Sequence, residues 1–278
     1  MQFTKYSGLG NDFVFLDTPQ AQAVKDPFRA AQVLCDRHHG IGADGLVLLL
    51  PSAKADVRMR IINSDGSEAE MCGNASRCVP LHLVRRQLTS KKQITLDTLA
   101  GIIRTEIVDE PSGLVRVDMG SPRLTRGEIP VEGPADQRAV GITVQTQARS
   151  FTGTAVSMGN PHFVIFVDDI NQVPLATWGP TLENHPAFAR KTNVEFVQVL
   201  DEHTVRMRVW ERGAGITQAC GTGACATAVA SILNKKTAET ITVKLDGGDL
   251  QITWPQGKNV WMTGPAREVF RGEYVGDL

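Results

Sequence analysis

Short runs of β-branched and aliphatic residues, several of them alternating with polar positions, recur along the chain and predict strands. These runs are 13–17, 45–50, 57–63, 93–99, 101–108 and 113–120 in the first half, and 151–159, 162–169, 193–200, 204–211 and a hairpin over 240–254 that turns at Asp246-Gly247 in the second. Helical patterns cover 74–87, 180–190 and 222–236. Pro80 lies inside the first helical pattern and is expected to kink that helix or to shift its start. Many strands with few helices predict an α+β fold.

The last of these helices has an unusual composition. Residues 219–230 contain five alanines, and no charged residue occurs between Cys220 and Lys235. A surface helix would carry one apolar stripe and one charged face. We therefore expect this helix to be buried on all sides and wrapped by strands of its own domain, with the small residues permitting close approach.

The two halves of the chain share landmarks at a nearly constant offset. Cys220 follows Cys72 by 148 positions, and each cysteine opens a Cys-Gly run of small residues. The other landmark pairs, at offsets of 148 or 149, are Asn63 with Glu211, Gly10-Asn11 with Gly159-Asn160, and Asp44 with Asn193. Two unrelated β-rich halves would not keep a common register, so we infer an internal duplication of one α+β unit.

Composition and charge exclude several classes of protein. The chain has 278 residues, of which 42% are hydrophobic and 21% charged, and its net charge is −1. These values are typical of a soluble globular protein and give no sign of nucleic-acid binding or of an acidic scaffold. No apolar stretch is long enough to span a bilayer, and the N-terminus lacks the apolar core of a signal peptide. We therefore expect a cytoplasmic protein that binds neither membrane nor nucleic acid.

The five cysteines indicate thiols rather than a disulfide framework, because their number is odd, no CxxC pair occurs and zinc-ligand spacing is absent. Cys35, Cys78 and Cys225 are expected to be inert core residues. Cys72 and Cys220 each precede a predicted helix, whose first N–H groups would stabilise a thiolate, lower the thiol pKa and hold a carboxylate. If two such helix ends face one substrate, one thiolate can remove a proton from carbon while the opposite thiol returns one, which inverts the stereocentre.

Six motifs in the same order, GLGNDFV, GADGLV, NSDGSEAEMCGN…RC, MGNPH, TNVEF and ERGAG…T.ACGTGACA, resemble the diaminopimelate epimerase family of pyridoxal-phosphate-independent amino-acid epimerases. The resemblance extends from about Gly8 to Pro265. It implies two homologous domains related by a pseudo-twofold axis, each a mixed, barrel-like β-sheet wrapped around a central helix. We place the N-terminal domain at 1–120, with 265–278 returning to it, and the C-terminal domain at 121–264.

The same resemblance implies a reaction and assigns residues to it. The reaction is conversion of LL-2,6-diaminopimelate to the meso form, a step of lysine and peptidoglycan precursor synthesis, by a homodimer without metal or organic cofactor. Cys72 and Cys220 match the catalytic acid–base pair. His162 and Glu211 match side chains that tune the two thiols. The matched substrate-binding positions are Asn11, Asn63, Gly73, Asn74, Asn160, Asn193, Glu211, Arg212, Gly221 and Thr222.

The chain departs from the usual family pattern at two positions. Ala75 stands where glycine is common, and its Cβ is expected to crowd the carboxylate site. Ile216 stands where an acidic residue is usual, so a charge near Cys220 is lost. Neither change removes a matched catalytic or substrate-binding position.

Other functions stay open from the residues. A sister racemase on the same scaffold would act on histidine or on a proline derivative, but such a monocarboxylate has no obvious use for Arg212 with four asparagines. A non-catalytic protein that only holds an amino acid would not need both cysteines. A Cys72–Cys220 disulfide formed under oxidation would add redox regulation.

Overall fold

The computed structural model describes residues 1–276 and 278, and the chain divides into two compact units. Unit 1 comprises Met1–Asp118 with Thr263–Leu278, and unit 2 comprises Met119–Met262. These bounds lie within two residues of the domain limits expected at 120 and 264. Among the described residues, none of the helices is long and apolar enough to cross a membrane.

Unit 1 is a mixed sheet with one long helix. Its elements are β1 (Gln2–Gly8), β2 (Asn11–Leu16), α1 (Thr18–Ala23), α2 (Pro27–Cys35), β3 (Gly45–Leu50), β4 (Val57–Asn63), β5 (Glu68–Ala69), α3 (Gly73–Arg85), β6 (Gln93–Thr98), β7 (Gly101–Asp109) and β8 (Leu114–Asp118). Strands β1–β2 and β3–β4 pair antiparallel, whereas β2–β3 and β4–β6 pair parallel. Strand β6 then pairs antiparallel with β7, and β7 with β8.

Unit 2 repeats this order. Its elements are β9 (Ile142–Gln145), β10 (Ser150–Ser157), β11 (Pro161–Phe166), a 3₁₀ turn (Ile170–Gln172), α4 (Leu175–Glu183), β12 (Asn193–Asp201), β13 (Thr204–Glu211), β14 (Gly215–Ile216), α5 (Gly221–Leu233), β15 (Thr240–Leu245) and β16 (Gly248–Thr253). From β10 through β13 to β15 and β16 the pairings run antiparallel, parallel, antiparallel, parallel and antiparallel, as they do from β1 to β7. The remaining strands are β17 (Trp261–Pro265) and β18 (Arg267–Glu273), and β18 pairs antiparallel with β1.

The strand registers refine the duplication. Phe13 lies beside Gly45 in the parallel pair of unit 1, and His162 lies beside Asn193 in that of unit 2. Asn193 is therefore equivalent to Gly45, and the expected equivalence of Asp44 with Asn193 is wrong by one residue. The segment that connects the two parallel strands is one residue longer in unit 1. A longer segment does not change how the two strands pair, so the equivalent positions differ by one residue after it.

The two long helices begin and end in the same way. Each has 13 residues and starts directly after a cysteine with extended backbone. Two residues after each helix a residue has positive φ, Gln87 at 58° and Lys235 at 56°, and the next residue closes a backbone hydrogen bond of the Schellman type. Helix α3 starts at Gly73, well before Pro80, so the start is not shifted by the proline.

Helix α5 is buried on all sides, as its composition predicts. Every residue of α5 except Thr222 and Leu233 is buried, and the helix contacts β10 to β13, β15 and β16 of its own unit. Helix α3 likewise contacts β1, β6, β7, β8 and β18. The prediction of a central helix surrounded by sheet is confirmed in each unit.

One predicted helix is wrong in position. The pattern indicated 180–190, whereas α4 spans Leu175–Glu183 and contains Pro180. Pro180 is the sixth residue of α4, beyond the first turn, so its missing N–H removes one hydrogen bond within the helix. The segment after Glu183 consists of turns, and residues there bond back to preceding carbonyls rather than extending the helix.

Candidate active site

In unit 1, Cys72 is the N-cap residue of α3 and is partly exposed. Its Sγ lies 3.7 Å from Oδ1 of Asn11, which stands at the start of β2. The same oxygen accepts a hydrogen bond from Nδ2 of Asn74 at 3.2 Å. Three of the predicted site residues are thus brought together at the first turn of α3.

Two residues outside the predicted set fix these asparagine side chains. Oδ2 of Asp44 accepts from Nδ2 of Asn11 at 2.7 Å, which directs the Asn11 oxygen toward Cys72. Arg77 is fully buried in α3 and donates from Nη2 to Oδ1 of Asn74 at 2.9 Å. In the sequence, Arg77 stands among small residues of a predicted helix. That pattern would have identified it as a buried arginine.

Asn63 lies at the end of β4, opposite Gly45 in the ladder. Its Nδ2 donates to Oγ of Ser67 at 2.9 Å, so the side chain is held within the turn before β5. Gly73 is the first residue of α3 and is buried. The structure therefore places Asn63 at the end of β4 and Gly73 at the start of α3 in unit 1.

In unit 2, Cys220 is the N-cap residue of α5 and only 4% exposed. The backbone N–H of Gly223 donates to its Sγ at 3.3 Å, and Oγ1 of Thr222 lies 3.5 Å from the same sulfur. A thiolate at this position would accept both hydrogen bonds. The predicted placement of the thiol at a helix N-terminus is confirmed for both cysteines.

The expected lowering of the thiol pKa is wrong for Cys220. Burial raises the pKa of Cys220 well above its ordinary value, and the negative charges of Glu211 and Glu195 raise it further. The hydrogen bonds from Thr222 and from the Gly223 N–H act in the opposite direction but are outweighed. The surroundings of Cys220 therefore favour the neutral thiol over the thiolate. Burial likewise raises the pKa of Cys35 and of Cys78 to about 12, which agrees with inert core thiols.

A chain of polar contacts leads from the interior of unit 2 to Cys220. His162 is fully buried, with Nδ1 at 2.7 Å from Oε1 of Glu195 and Nε2 at 3.0 Å from Oδ1 of Asn160. Nδ2 of Asn160 donates to Oγ1 of Thr222 at 3.3 Å. Glu195 was missed by the sequence reasoning, although a carboxylate inside the apolar run of β12 was a signal for it.

The remaining predicted residues surround the turn after β13. The backbone N–H of Arg212 donates to Oδ1 of Asn193 at 2.9 Å, and Nδ2 of Asn193 donates to the Pro161 carbonyl at 2.8 Å. The exposed guanidinium of Arg212 donates from Nη1 to the Arg190 carbonyl at 2.9 Å. Glu211 accepts a hydrogen bond from the hydroxyl of Thr217. Because a guanidinium has five donors, Arg212 can still bind a carboxylate.

The chain is similar to one family of known proteins over most of its length. The family model described as diaminopimelate epimerase matches residues 3–125 and 154–269, one stretch in each half of the chain. The diaminopimelate epimerase of Pelotomaculum thermopropionicum is 57% identical over 277 residues, covering 99% of both chains. That of Desulforudis audaxviator is 56% identical over 277 residues, again covering 99% of both chains.

The chain belongs to the diaminopimelate epimerase family. A solved structure of a probable proline racemase from Agrobacterium radiobacter superposes with a TM-score of 0.69 at 17% identity, covering 99% of this chain and 93% of the other. At that identity the likeness shows the fold alone. Family membership makes the protein an isomerase.

Ala75 departs from the usual family pattern, and the duplication explains why alanine is tolerated at this position. The equivalent residue in unit 2 is Gly223, where an added Cβ would lie 2.8 Å from Oε1 of Glu195. The position equivalent to Glu195 in unit 1 is Val47, which brings no carboxylate, and Ala75 is fully buried. Ile216 lies on β14 with 47% of its surface exposed, and nothing in the structure explains the absence of an acidic residue there.

Glu183 holds the turn that carries Glu211 and Arg212. Glu183 is 6% exposed, and its carboxylate accepts from Nε1 of Trp210 at 2.7 Å and from the backbone N–H of Gly213 at 3.0 Å. A Glu183→Gln variant loses one of these acceptors, because the amide nitrogen would face a donor. We expect the KM for the substrate to rise about 10-fold with kcat within about twofold, since one hydrogen bond to a charged group is lost.

Steady-state kinetics of Glu183→Gln beside Glu202→Gln measure this effect. Glu202 is an exposed residue in the turn between β12 and β13, so its variant controls for loss of a negative charge. A fall in kcat at unchanged KM would contradict the assignment of Glu183 to the Arg212 turn.

Proposed function

We propose that the protein converts LL-2,6-diaminopimelate to meso-diaminopimelate by a two-base mechanism in which Cys72 and Cys220 act on opposite faces of one α-carbon. The product is a precursor of lysine and peptidoglycan. The observation that carries this function is membership of the family together with a cysteine at the N-cap of the equivalent buried helix in each unit.

In the proposed reaction one cysteine sulfur accepts a proton and the other donates one. The thiolate on one face removes the α-proton and becomes a thiol, and the electron pair of the C–H bond is delocalised into the adjacent carboxylate. The thiol on the other face donates its proton to the α-carbon and becomes a thiolate. Burial and two nearby carboxylates hold Cys220 as a thiol. Cys220 is therefore the proton donor in the reaction direction in which Cys72 removes the α-proton.

The reacting carboxylate is proposed to bind at the helix N-termini. The first N–H groups of α3, at Gly73 and Asn74, and of α5, at Gly221 and Thr222, lack partners within their helices. These N–H groups and the helix dipoles favour a negative charge, most strongly when the α-carbanion pushes charge into the carboxylate. This interaction is stronger in the transition state than in the ground state, as catalysis requires.

The non-reacting end of the substrate is assigned to Arg212 and the asparagines. Arg212 offers a charged, planar set of donors for the distal carboxylate. Asn193 receives the Arg212 backbone N–H and so fixes where that side chain begins. Asn11, Asn63 and Asn160 complete the proposed substrate contacts, with Asn11 and Asn160 each also bonded within the site of their own unit.

The homodimer, the cytoplasmic location and the absence of a cofactor are proposed together with the function. Reduced thiols at both catalytic positions suit a reducing compartment. Sedimentation of the purified, metal-free protein tests the homodimer, and the activity of the same preparation tests the absence of a cofactor.

The function is tested by incubating the reduced protein in D₂O with LL-diaminopimelate, histidine or a hydroxyproline, each in a separate reaction. Deuterium at one α-carbon of diaminopimelate together with the meso product is the expected result. Exchange into histidine or hydroxyproline alone would assign the protein as a sister racemase. Binding of diaminopimelate without any exchange would make it a binding protein.

A further inference from the structure

Glu195 is a buried carboxylate with an incomplete set of partners. It lies on β12 with no exposed surface, and Oε1 is 2.7 Å from Nδ1 of His162. The other oxygen, Oε2, has no hydrogen-bond partner among the described residues. Burial raises the pKa of Glu195, and the interaction with His162 opposes that rise. Burying such a group is costly, so its presence calls for a reason.

The duplication provides an internal comparison, which shows that the fold does not require the His162–Glu195 pair. By the strand registers, Phe13 is equivalent to His162, and Val47 is equivalent to Glu195. Phe13 is 3% exposed and Val47 is fully buried, so unit 1 builds the same ladder with apolar side chains at both positions. The same β–β pairing therefore forms without the His–Glu pair, and the pair in unit 2 serves something other than the ladder.

The hydrogen bonds of His162 are directional. Oδ1 of Asn160 is an acceptor, so Nε2 of His162 must carry the proton of their 3.0 Å contact. Nδ1 then faces the Glu195 carboxyl, either as the donor to the carboxylate or as the acceptor of its proton. With Asn160 held in this orientation, its Nδ2 donates to Thr222, and the Thr222 hydroxyl is left to donate to Cys220.

We propose that Glu195 is a positioning residue, which orients His162 and, through Asn160 and Thr222, fixes the hydrogen bond that Cys220 receives when it becomes a thiolate. The role rests on the function proposed above, because it concerns the acidity of a catalytic thiol. Glu195 also lies beside the first turn of α5, since an added Cβ on Gly223 would meet Oε1 at 2.8 Å and the Cys220 sulfur at 3.2 Å. The carboxylate is thus adjacent to the turn that presents the sulfur.

Two variants test this role against a merely structural one. Glu195→Gln keeps the shape but removes the charge, and H162F/E195V transplants the residues that unit 1 already carries. We expect kcat to fall about 10- to 100-fold in Glu195→Gln with KM within about twofold, which is the range seen when a metal-bound histidine loses the carboxylate that orients it. H162F/E195V should remain folded, because a buried ion pair replaced by apolar residues is often neutral or stabilising, and should lose at least as much activity.

The tautomer of His162 gives a readout that a structural role would not move. In ¹⁵N-histidine-labelled protein the signals of His162 are those missing from H162F/E195V. We expect a protonated Nε2 in the wild-type protein and an Nδ1 signal that shifts in Glu195→Gln, because a charge-assisted hydrogen bond is lost. Glu202→Gln is the matched control and should keep both the kinetics and the spectrum of the wild-type protein.

Unchanged kcat in Glu195→Gln, or identical His162 signals in that variant and the wild-type protein, would overturn the role of Glu195. The ¹⁵N spectra need no substrate. If the wild-type protein fails to epimerise diaminopimelate, the proposed function fails, whereas a shift of the Nδ1 signal still supports the link from Glu195 to His162.

Discussion

Replacing Cys72 or Cys220 by alanine is expected to lower the rate of epimerisation by at least about 10³-fold, because each variant lacks the acid or base for one face of the α-carbon. Both residues occupy the N-cap of a buried helix, and alanine in place of Cys220 loses the hydrogen bond that the sulfur accepts from the Gly223 N–H, at a cost of about 1 kcal/mol. The loss of activity should appear in kcat and should far exceed what this small change in stability produces. Deuterium incorporation and the LL-to-meso ratio, followed in D₂O, measure it.

Cys35→Ala is the matched control for the two cysteine variants. Cys35 is buried at the end of α2, and its raised pKa keeps it protonated at neutral pH. Its replacement removes a thiol without touching the proposed site, so kcat should change by no more than about twofold. If Cys72→Ala or Cys220→Ala epimerised at the wild-type rate, the two-thiol mechanism would be wrong, even if the protein is an epimerase.

Gly223→Ala is expected to have the second largest effect, a fall in kcat of about 100-fold. The added Cβ would lie 2.8 Å from Oε1 of Glu195 and 3.2 Å from the Cys220 sulfur, and both are closer than ordinary contacts. Either the carboxylate or the thiol must move, and a displacement on the order of 1 Å at a reacting group can cost that factor in rate. Kinetics on freshly folded protein, with circular dichroism to verify the helix, measure the effect.

Ala75→Gly is the control at the equivalent position of unit 1. Removing the methyl group of Ala75 costs about 1 kcal/mol of helix stability, because glycine loses more backbone entropy than alanine. The corresponding β3 residue is Val47, so no carboxylate there depends on the change, and kcat should stay within about twofold of the wild-type value. A Gly223→Ala variant as active as Ala75→Gly would show that the packing of Glu195 against α5 is not required.

Local signals along the chain were sufficient for most of the fold. Strands β3, β4 and β13 have the predicted bounds, and the hairpin turns at Asp246-Gly247 as expected. Helix α2 was missed although its start signals were present, since Asp26 caps it by accepting from two backbone N–H groups and Pro27 follows. Strand β1 was missed because Lys5 interrupts its apolar pattern. This lysine is buried because it pairs with Asp12 at 2.8 Å and donates a hydrogen bond to the Gly42 carbonyl.

The sequence by itself determined the duplication, the two cysteines at helix starts and the family, because offsets, composition and motifs are properties of the chain order. Only the tertiary structure decided the state of Cys220 and the importance of Glu195. Burial and the fields of Glu195 and Glu211 outweigh the helix N-terminus at that thiol, and both depend on which strands surround α5. The register of β12 against β11 brings Glu195 to His162 across 33 positions of sequence, a distance at which no local pattern carries information.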